Sequence, residues 1–177
     1  MTVRSWVTFR SDLADDGVET EDGHNFTEWP GRVHVLMVAE LLQTLGWQVT
    51  GTIDVQERGW ELDARLDRKA IWMQVTPLDE VIVIIKDGNP EWIRYLAGKG
   101  PGPVFTGMLT ALDTALHNDG RFHDIRWFTQ KEHNCGAPGA PAPISDIKQM
   151  AGYVPPPPPP PPPPRPWREW DHPWRDR

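Results

Sequence analysis

Long apolar runs and cysteine are scarce in this sequence, and each scarcity excludes a class of protein. It has no run of about 18 apolar residues, which is the length a membrane-spanning helix needs. The opening residues, MTVRSWVTFRSD, lack the apolar segment of a secretory signal peptide. The single cysteine, Cys135, cannot form an internal disulfide, which agrees with a reducing compartment. We therefore expect a cytoplasmic protein with no membrane span.

Basic residues are also missing from one stretch, residues 12–28, which contains no Lys or Arg. The same stretch holds seven acidic residues, as many as the formal net charge of -7: Asp12, Asp15, Asp16, Glu19, Glu21, Asp22 and Glu28. Because Lys and Arg contacts to phosphate supply most nucleic-acid affinity, this acidic chain is not expected to bind nucleic acid. The stretch is predicted to be a long polar loop, whose plain interpretation is a solvated surface.

The clearest structural pattern lies in residues 47–86, where apolar and polar residues alternate in successive stretches. Alternation is typical of half-buried strands, since successive side chains point to opposite faces. Strands are predicted over 47–55, 60–66, 70–76 and 81–85, and the short gaps between them leave room only for hairpins. The last of these strands is apolar on both faces, which suits a central strand. These residues therefore predict an antiparallel meander.

Two main helices and two further strands are predicted around the meander. Apolar residues at helical spacing predict helices over 32–45 and 104–117. Strands are predicted over 3–9 and 122–128, and a short helix from residue 89. The expected fold class is α+β, a two-layer sandwich in which the two main helices pack on the antiparallel meander sheet.

The composition changes near the C-terminus and divides the chain into three parts. Residues 1–133 are expected to form the globular α+β domain, and residues 134–166 a disordered linker rich in Gly, Ala and Pro. The linker contains ten consecutive prolines, Pro155–Pro164. Such a run forms a polyproline II helix that rises about 3.1 Å per residue. Residues 167–177 are a terminal peptide rich in Trp and Arg.

This terminal peptide is a candidate docking element. Trp167, Trp170 and Trp174 stand among arginines, and Trp and Arg dominate binding hot spots. Two other interpretations remain open. The peptide could fold back and cover an apolar patch on its own domain, or it could contact a membrane surface, although its interleaved acidic residues weaken that contact.

Motifs for catalysis are weak. His133 and Cys135 lie two residues apart without a third ligand nearby, which predicts neither a metal site nor an activated nucleophile. Gly98-Lys99-Gly100 lacks the spacing of a phosphate-binding loop. No catalytic residue, metal or cofactor is therefore expected, and the protein is expected not to be an enzyme. A small enzyme of unknown class is kept as an alternative.

Three tryptophans of the meander, Trp47, Trp60 and Trp72, allow two arrangements of the sheet. They are most simply core aromatics, with large areas to bury. If Trp72 and Gln74 face outward instead, the sheet offers a polar and aromatic surface that fits a partner. The sequence leaves both arrangements open.

The chain begins with a strand, a long polar loop and a helix ending in LGW, and continues into a meander containing ERGWELDARLDRKAIWMQVT. This order resembles small uncharacterised bacterial α/β domains, some of them similar to immunity proteins that bind and block a toxin. The resemblance covers about residues 1–130 and includes the turn at Arg58-Gly59-Trp60. It implies a protein-binding function, assigns no functional residues and does not account for the proline-rich tail.

The leading hypothesis is a non-enzymatic protein-binding module, an inhibitor or immunity-like factor whose acidic loop meets a basic protein. Its predicted partner-binding residues are Asp15, Asp16, Glu19 and Glu21. The alternative is an adaptor or secretion-chaperone-like protein that docks through its tail, with Trp167, Trp170 and Trp174 as anchors. The sequence does not predict an oligomeric state.

Overall fold

The computed structural model describes residues 1–14, 16–21, 26–88 and 100–145 of the 177-residue chain. The helix expected from residue 89, the proline run and the terminal peptide lie outside the described residues. In chain order, the described elements are β1 (Thr2–Val3), β2 (Trp6–Ser11), β3 (Val18–Glu19), β4 (Phe26–Glu28), α1 (Arg32–Thr44), β5 (Gln48–Asp54), a 3-10 turn (Gln56–Arg58), β6 (Trp60–Leu66), β7 (Lys69–Thr76), β8 (Val81–Asp87), α2 (Pro103–Asn118), β9 (Phe122–Phe128), α3 (Gln130–Asn134) and β10 (Ile144–Ser145).

Six strands form one antiparallel sheet in the order β5-β6-β7-β8-β2-β9. Strands β5 to β8 are consecutive neighbours in this sheet and form the predicted meander. Each is joined to the next by a short connection, which allows only a hairpin. The α+β class with an antiparallel sheet is therefore confirmed. The N-terminal strand β2 does not end at an edge, since it lies between β8 and β9.

The single strand expected over residues 3–9 is wrong, because it is divided in two. Strand β1 pairs with β10, whereas β2 joins the main sheet. The break falls at Arg4, whose backbone N–H donates to the carbonyl oxygen of Pro143 at 2.8 Å. This bond directs the backbone away from the main sheet and towards β10 before β2 begins.

The core lies between one face of the sheet and the two long helices. Strand alternation places every second sheet residue on this face, and the apolar stripes of α1 and α2 pack against it. Burial of each such side chain contributes about 1.5–3 kcal/mol. The buried cluster includes Val7, Val35, Val38, Leu42, Leu62, Met73, Val83, Leu109, Leu112, Leu116 and Trp127.

Strand β5 does not keep one face throughout. Its pairing with β6 shifts between Val49 and Gly51, which leaves Thr50 as an extra residue. Such a bulge moves the later side chains to the opposite face. The shared face predicted for Val49 and Ile53 is therefore wrong, and Ile53 is 60% exposed.

After β9 the chain folds over the outer face of the sheet, the face turned away from α1 and α2. We call residues 129–145 the C-terminal cover. The ring of His133 lies 5.1 Å from that of Trp6 and 5.5 Å from that of Phe128, measured between centroids. The backbones of Ala140 and Trp127 exchange two hydrogen bonds of 2.8 Å. His133 thereby covers Trp6 and Phe128 on the outer face, while Ala140 pairs with β9 along the edge of the sheet.

The domain boundary predicted at residue 133 is therefore too early, and the predicted linker over 134–166 begins with packed residues. Gly139 in this segment packs closely against Phe128. A Cβ added at Gly139 would lie 2.6 Å from Cζ of Phe128, so only glycine fits against this ring. Composition alone predicts a linker here because it carries no information about this contact.

Arg4 ties the C-terminal cover to the start of the chain. Arg4 is 1% exposed, and its guanidinium donates to both carboxylate oxygens of Glu132, at 2.9 and 2.8 Å, and to Oγ of Ser145 at 2.6 Å. Glu132 also accepts from the backbone N–H of Thr129 at 2.7 Å. Burial raises the pKa of Glu132, but the hydrogen bonds from Arg4 and Thr129 together bring this pKa below its ordinary value of 4.5.

This ion pair makes stability sensitive to acid. Because the pKa of Glu132 is lower in the folded chain, its contribution is complete above the ordinary value of 4.5 and is lost as the pH falls through the lower folded value. We expect Glu132→Gln to reduce the free energy of unfolding at pH 7 by roughly 1.5–3 kcal/mol, and by less at pH 3. Urea denaturation at both pH values measures this. An equal loss at both would contradict it, and Glu40→Gln, at an exposed position, is the control.

The turn between β5 and β6 requires glycine. Gly59 has φ 90° and ψ -134°, and a Cβ added there would overlap the carbonyl oxygen of Val75. We expect Gly59→Ala to lower the free energy of unfolding by about 2 kcal/mol or more. The matched control is Gly107→Ala, in α2, where a Cβ meets no atom within 4 Å. It should raise stability by about 0.5–1 kcal/mol. Changes of the same sign in chemical denaturation would overturn this explanation.

Candidate functional site

Part of the acidic stretch is an ordered hairpin, and the loop prediction is wrong for it. Val18 pairs with Glu28, and Glu19 with Phe26. The hydroxyl of Thr27 donates to the carbonyl oxygen of Val18 at 3.1 Å. We call residues 16–21 and 26–29 the acidic hairpin.

Asp16 attaches this hairpin to the helix layer. Its Oδ1 accepts from the backbone N–H of Gly31 at 2.8 Å, and its Oδ2 accepts from that of Val33 at 2.6 Å. These donors lie at the start of α1, where helical N–H groups have no partner within the helix and the dipole favours a negative charge. Asp16, predicted to bind a partner, is thus used as a helix cap.

Trp60 attaches the hairpin to the sheet. Its indole N–H is shared between the carbonyl oxygens of Trp29 and Pro30, at 3.4 and 3.2 Å. Trp29 in turn packs on Phe26 of the hairpin, with ring centroids 5.2 Å apart. The hairpin is therefore fixed at two points, one on α1 and one on β6.

The other acidic side chains of the hairpin point into solvent. Glu19, Glu21 and Glu28 are exposed, and Val18 beside them is 48% exposed. Asp15, a further predicted partner-binding residue, lies outside the described residues. The structure thus separates the predicted acidic set into Asp16, which stabilises the fold, and Glu19 and Glu21, which remain accessible.

A second surface lies on the outer face of the sheet, beside the C-terminal cover. We call Trp72, Gln74, Thr76, Ile82 and Ile84 the open sheet face. These side chains stay partly exposed among the residues that the structure describes. Strand register makes them neighbours, since Gln74 pairs with Ile84 and Thr76 with Ile82.

Trp72 is held in one orientation on this face. Its indole N–H donates to Oε2 of Glu61 at 3.1 Å, and Nζ of Lys86 lies 4.6 Å from its ring centroid. Beside it, the side-chain amide of Gln74 donates to the carbonyl oxygen of Arg58 at 2.8 Å. The open sheet face is therefore ordered before any ligand binds.

The structure decides between the two arrangements of the meander tryptophans. Trp47 is 4% exposed and belongs to the core. Trp72 faces outward, because Ile71 and Met73 on either side of it face the core and strand residues alternate. The interpretation of all three as core aromatics is thus wrong for Trp72. The sequence signal for this surface was the β8 segment, which is apolar on both faces.

Little in the described part of the chain resembles a chemical site. No group of three or more His, Cys, Asp or Glu residues there could hold a metal ion. His133 packs between aromatic rings, and Cys135 is exposed. No helix in the same ranges is long and apolar enough to cross a membrane. Trp167, Trp170 and Trp174 fall outside these ranges. The acidic hairpin and the open sheet face are the two candidate surfaces.

Comparison with known proteins adds no family. The chain matches no protein-family model, no curated protein and no solved structure. The resemblance to immunity-like domains therefore stays a prediction.

The capping role of Asp16 is directly testable. We expect Asp16→Ala to lower the free energy of unfolding by about 1–2 kcal/mol, because the backbone N–H groups of Gly31 and Val33, at the start of α1, lose their acceptor. Glu19→Ala, a few residues away and exposed, should change it by less than about 0.5 kcal/mol. Denaturant titrations of both variants measure the difference, and equal effects would exclude the cap.

Proposed function

We propose that this protein is a non-enzymatic protein-binding module, an inhibitor or immunity-like factor whose acidic hairpin meets a basic protein. One observation carries the proposal. Glu19, Glu21 and Glu28 are exposed on an ordered hairpin, and residues 11–31 contain no Lys or Arg to neutralise them. A cytoplasmic location and the absence of a cofactor belong to the same proposal.

In this proposal, the acidic hairpin steers a basic partner towards the surface and selects it over other proteins. A surface of one charge attracts a partner of the opposite charge, which raises the association rate and disfavours partners of like charge. The anchors at Asp16 and Trp60 hold the hairpin in place, so binding has little conformational entropy to lose there. The exposed Val18 adds apolar contact beside the charges.

The test compares two triple variants with the same change in charge. The first, Glu19→Gln with Glu21→Gln and Glu28→Gln, neutralises the hairpin and leaves the Asp16 cap intact. The control changes three exposed acids elsewhere, through Glu40→Gln, Asp67→Asn and Asp124→Asn. Full-length protein first captures partners from native lysate. The partner is identified by mass spectrometry and purified, and each variant is titrated with it at several salt concentrations.

We expect the hairpin variant to bind about 10- to 100-fold more weakly, since each exposed ion pair contributes up to about 1 kcal/mol. Its affinity should also depend less on salt, because fewer charges remain to be screened. The control should keep both properties. Unchanged affinity in the hairpin variant would remove the hairpin from the interface.

The alternative adaptor function rests on the terminal peptide, which holds three of the ten tryptophans. A shortened chain that is used to separate the two functions should end after Ser145, because residues 134–145 are packed in the domain. A partner lost from this shortened chain but retained by the hairpin variant would assign the contact to the tail.

A further inference from the structure

The open sheet face borders a surface that the chain already covers with its own C-terminal residues. Trp6 and Phe128 on β2 and β9 lie under the cover, with Phe128 only 7% exposed. Trp6 pairs with Ile84, which belongs to the open sheet face. The covered and the open parts are therefore adjacent on one continuous sheet.

The described chain stops at Ser145, close to the segment that leads into β2. Ser145 pairs with Thr2 and accepts a hydrogen bond from Arg4, two residues before Trp6 begins β2. The sequence continues for 32 residues, from 146 to 177. This sequence is attached at Ser145, whose partner Arg4 precedes Trp6 by two residues.

From this geometry we infer that the chain's own proline run, Pro155–Pro164, docks on the open sheet face. A polyproline II helix presents apolar rings, has no internal hydrogen bonds to break and loses little entropy when it binds an aromatic surface. The ring of Trp72 with Ile82 and Ile84 is such a surface. The run itself carries no charge that docking would have to desolvate.

The connecting chain is long enough. From Trp6 to Trp72 the path crosses two strand spacings of about 4.8 Å and two residues along the strand, roughly 12 Å in all. Residues 146–154 can span up to about 30 Å when extended. Attachment in the same chain also gives the run a local concentration on the order of millimolar, so weak contacts suffice.

Docking of the run would also place the terminal peptide. Ten prolines rise roughly 30 Å, more than the length of a seven-residue strand, about 23 Å. A run that docks along the strands would therefore carry Trp167, Trp170 and Trp174 past the end of the face. This inference does not depend on the acidic hairpin, which contacts α1 and β6.

The experiment uses the full chain with one nitroxide label in the proline run. Pro160→Cys receives the label, and Cys135→Ser removes the exposed native thiol. Amide line broadening is measured in isotope-labelled protein before and after the nitroxide is reduced. We expect strong broadening at Trp72, Gln74 and Ile84 that disappears on reduction. Glu40, on the exposed side of α1, should be unaffected.

Two further samples keep the result decisive. Adding Trp72→Ala should reduce the broadening at Ile84 several-fold, whereas Leu36→Ala, at a 46% exposed apolar position on α1, should not change it. A mixture of nitroxide-labelled chains without isotope and isotope-labelled chains without nitroxide should show no broadening. Broadening of the open sheet face in that mixture would assign the face to a second copy and overturn docking within one chain. Absence of broadening at the open sheet face would overturn it as well.

Discussion

The pairing of β2 with both β8 and β9 is the interaction on which the rest of the structure depends. It joins the meander to β9, because no strand of the meander pairs with β9 directly. Val7 and Phe9 on its inner face are 0% exposed, and Thr8 on its outer face is 4% exposed. Because β2 comes from the start of the chain and β9 from far along it, the sheet is complete only when distant segments meet.

The two faces of the sheet therefore differ in what covers them. The inner face is covered by α1 and α2 and forms the core. The outer face is divided, since the C-terminal cover packs over β2 and β9 while Trp72, Ile82 and Ile84 stay partly exposed among the described residues. Both candidate surfaces are held by contacts within the fold, the hairpin through Asp16 and the open sheet face through Glu61 and Lys86.

Local patterns predicted most of the elements but not how they are used. The meander strands, the two long helices and β9 lie where alternation and helical spacing placed them. The bulge at Thr50 was not predicted from the sequence, because a strand with one extra residue contains the same types of residue as a regular strand. The cap at Asp16 escaped as well, because its donors lie 15 and 17 residues further along the chain.

By itself, the sequence determined the α+β class, the meander and the acidic stretch, since each depends on neighbours within a few residues. Only the tertiary structure decided that Trp72 faces outward, that Asp16 is a cap and that residues 134–145 pack on the domain. The physical reason is that strand partners, burial and long-range hydrogen bonds depend on which distant segments come together. Periodicity records which residues share a face, and packing decides whether that face is covered.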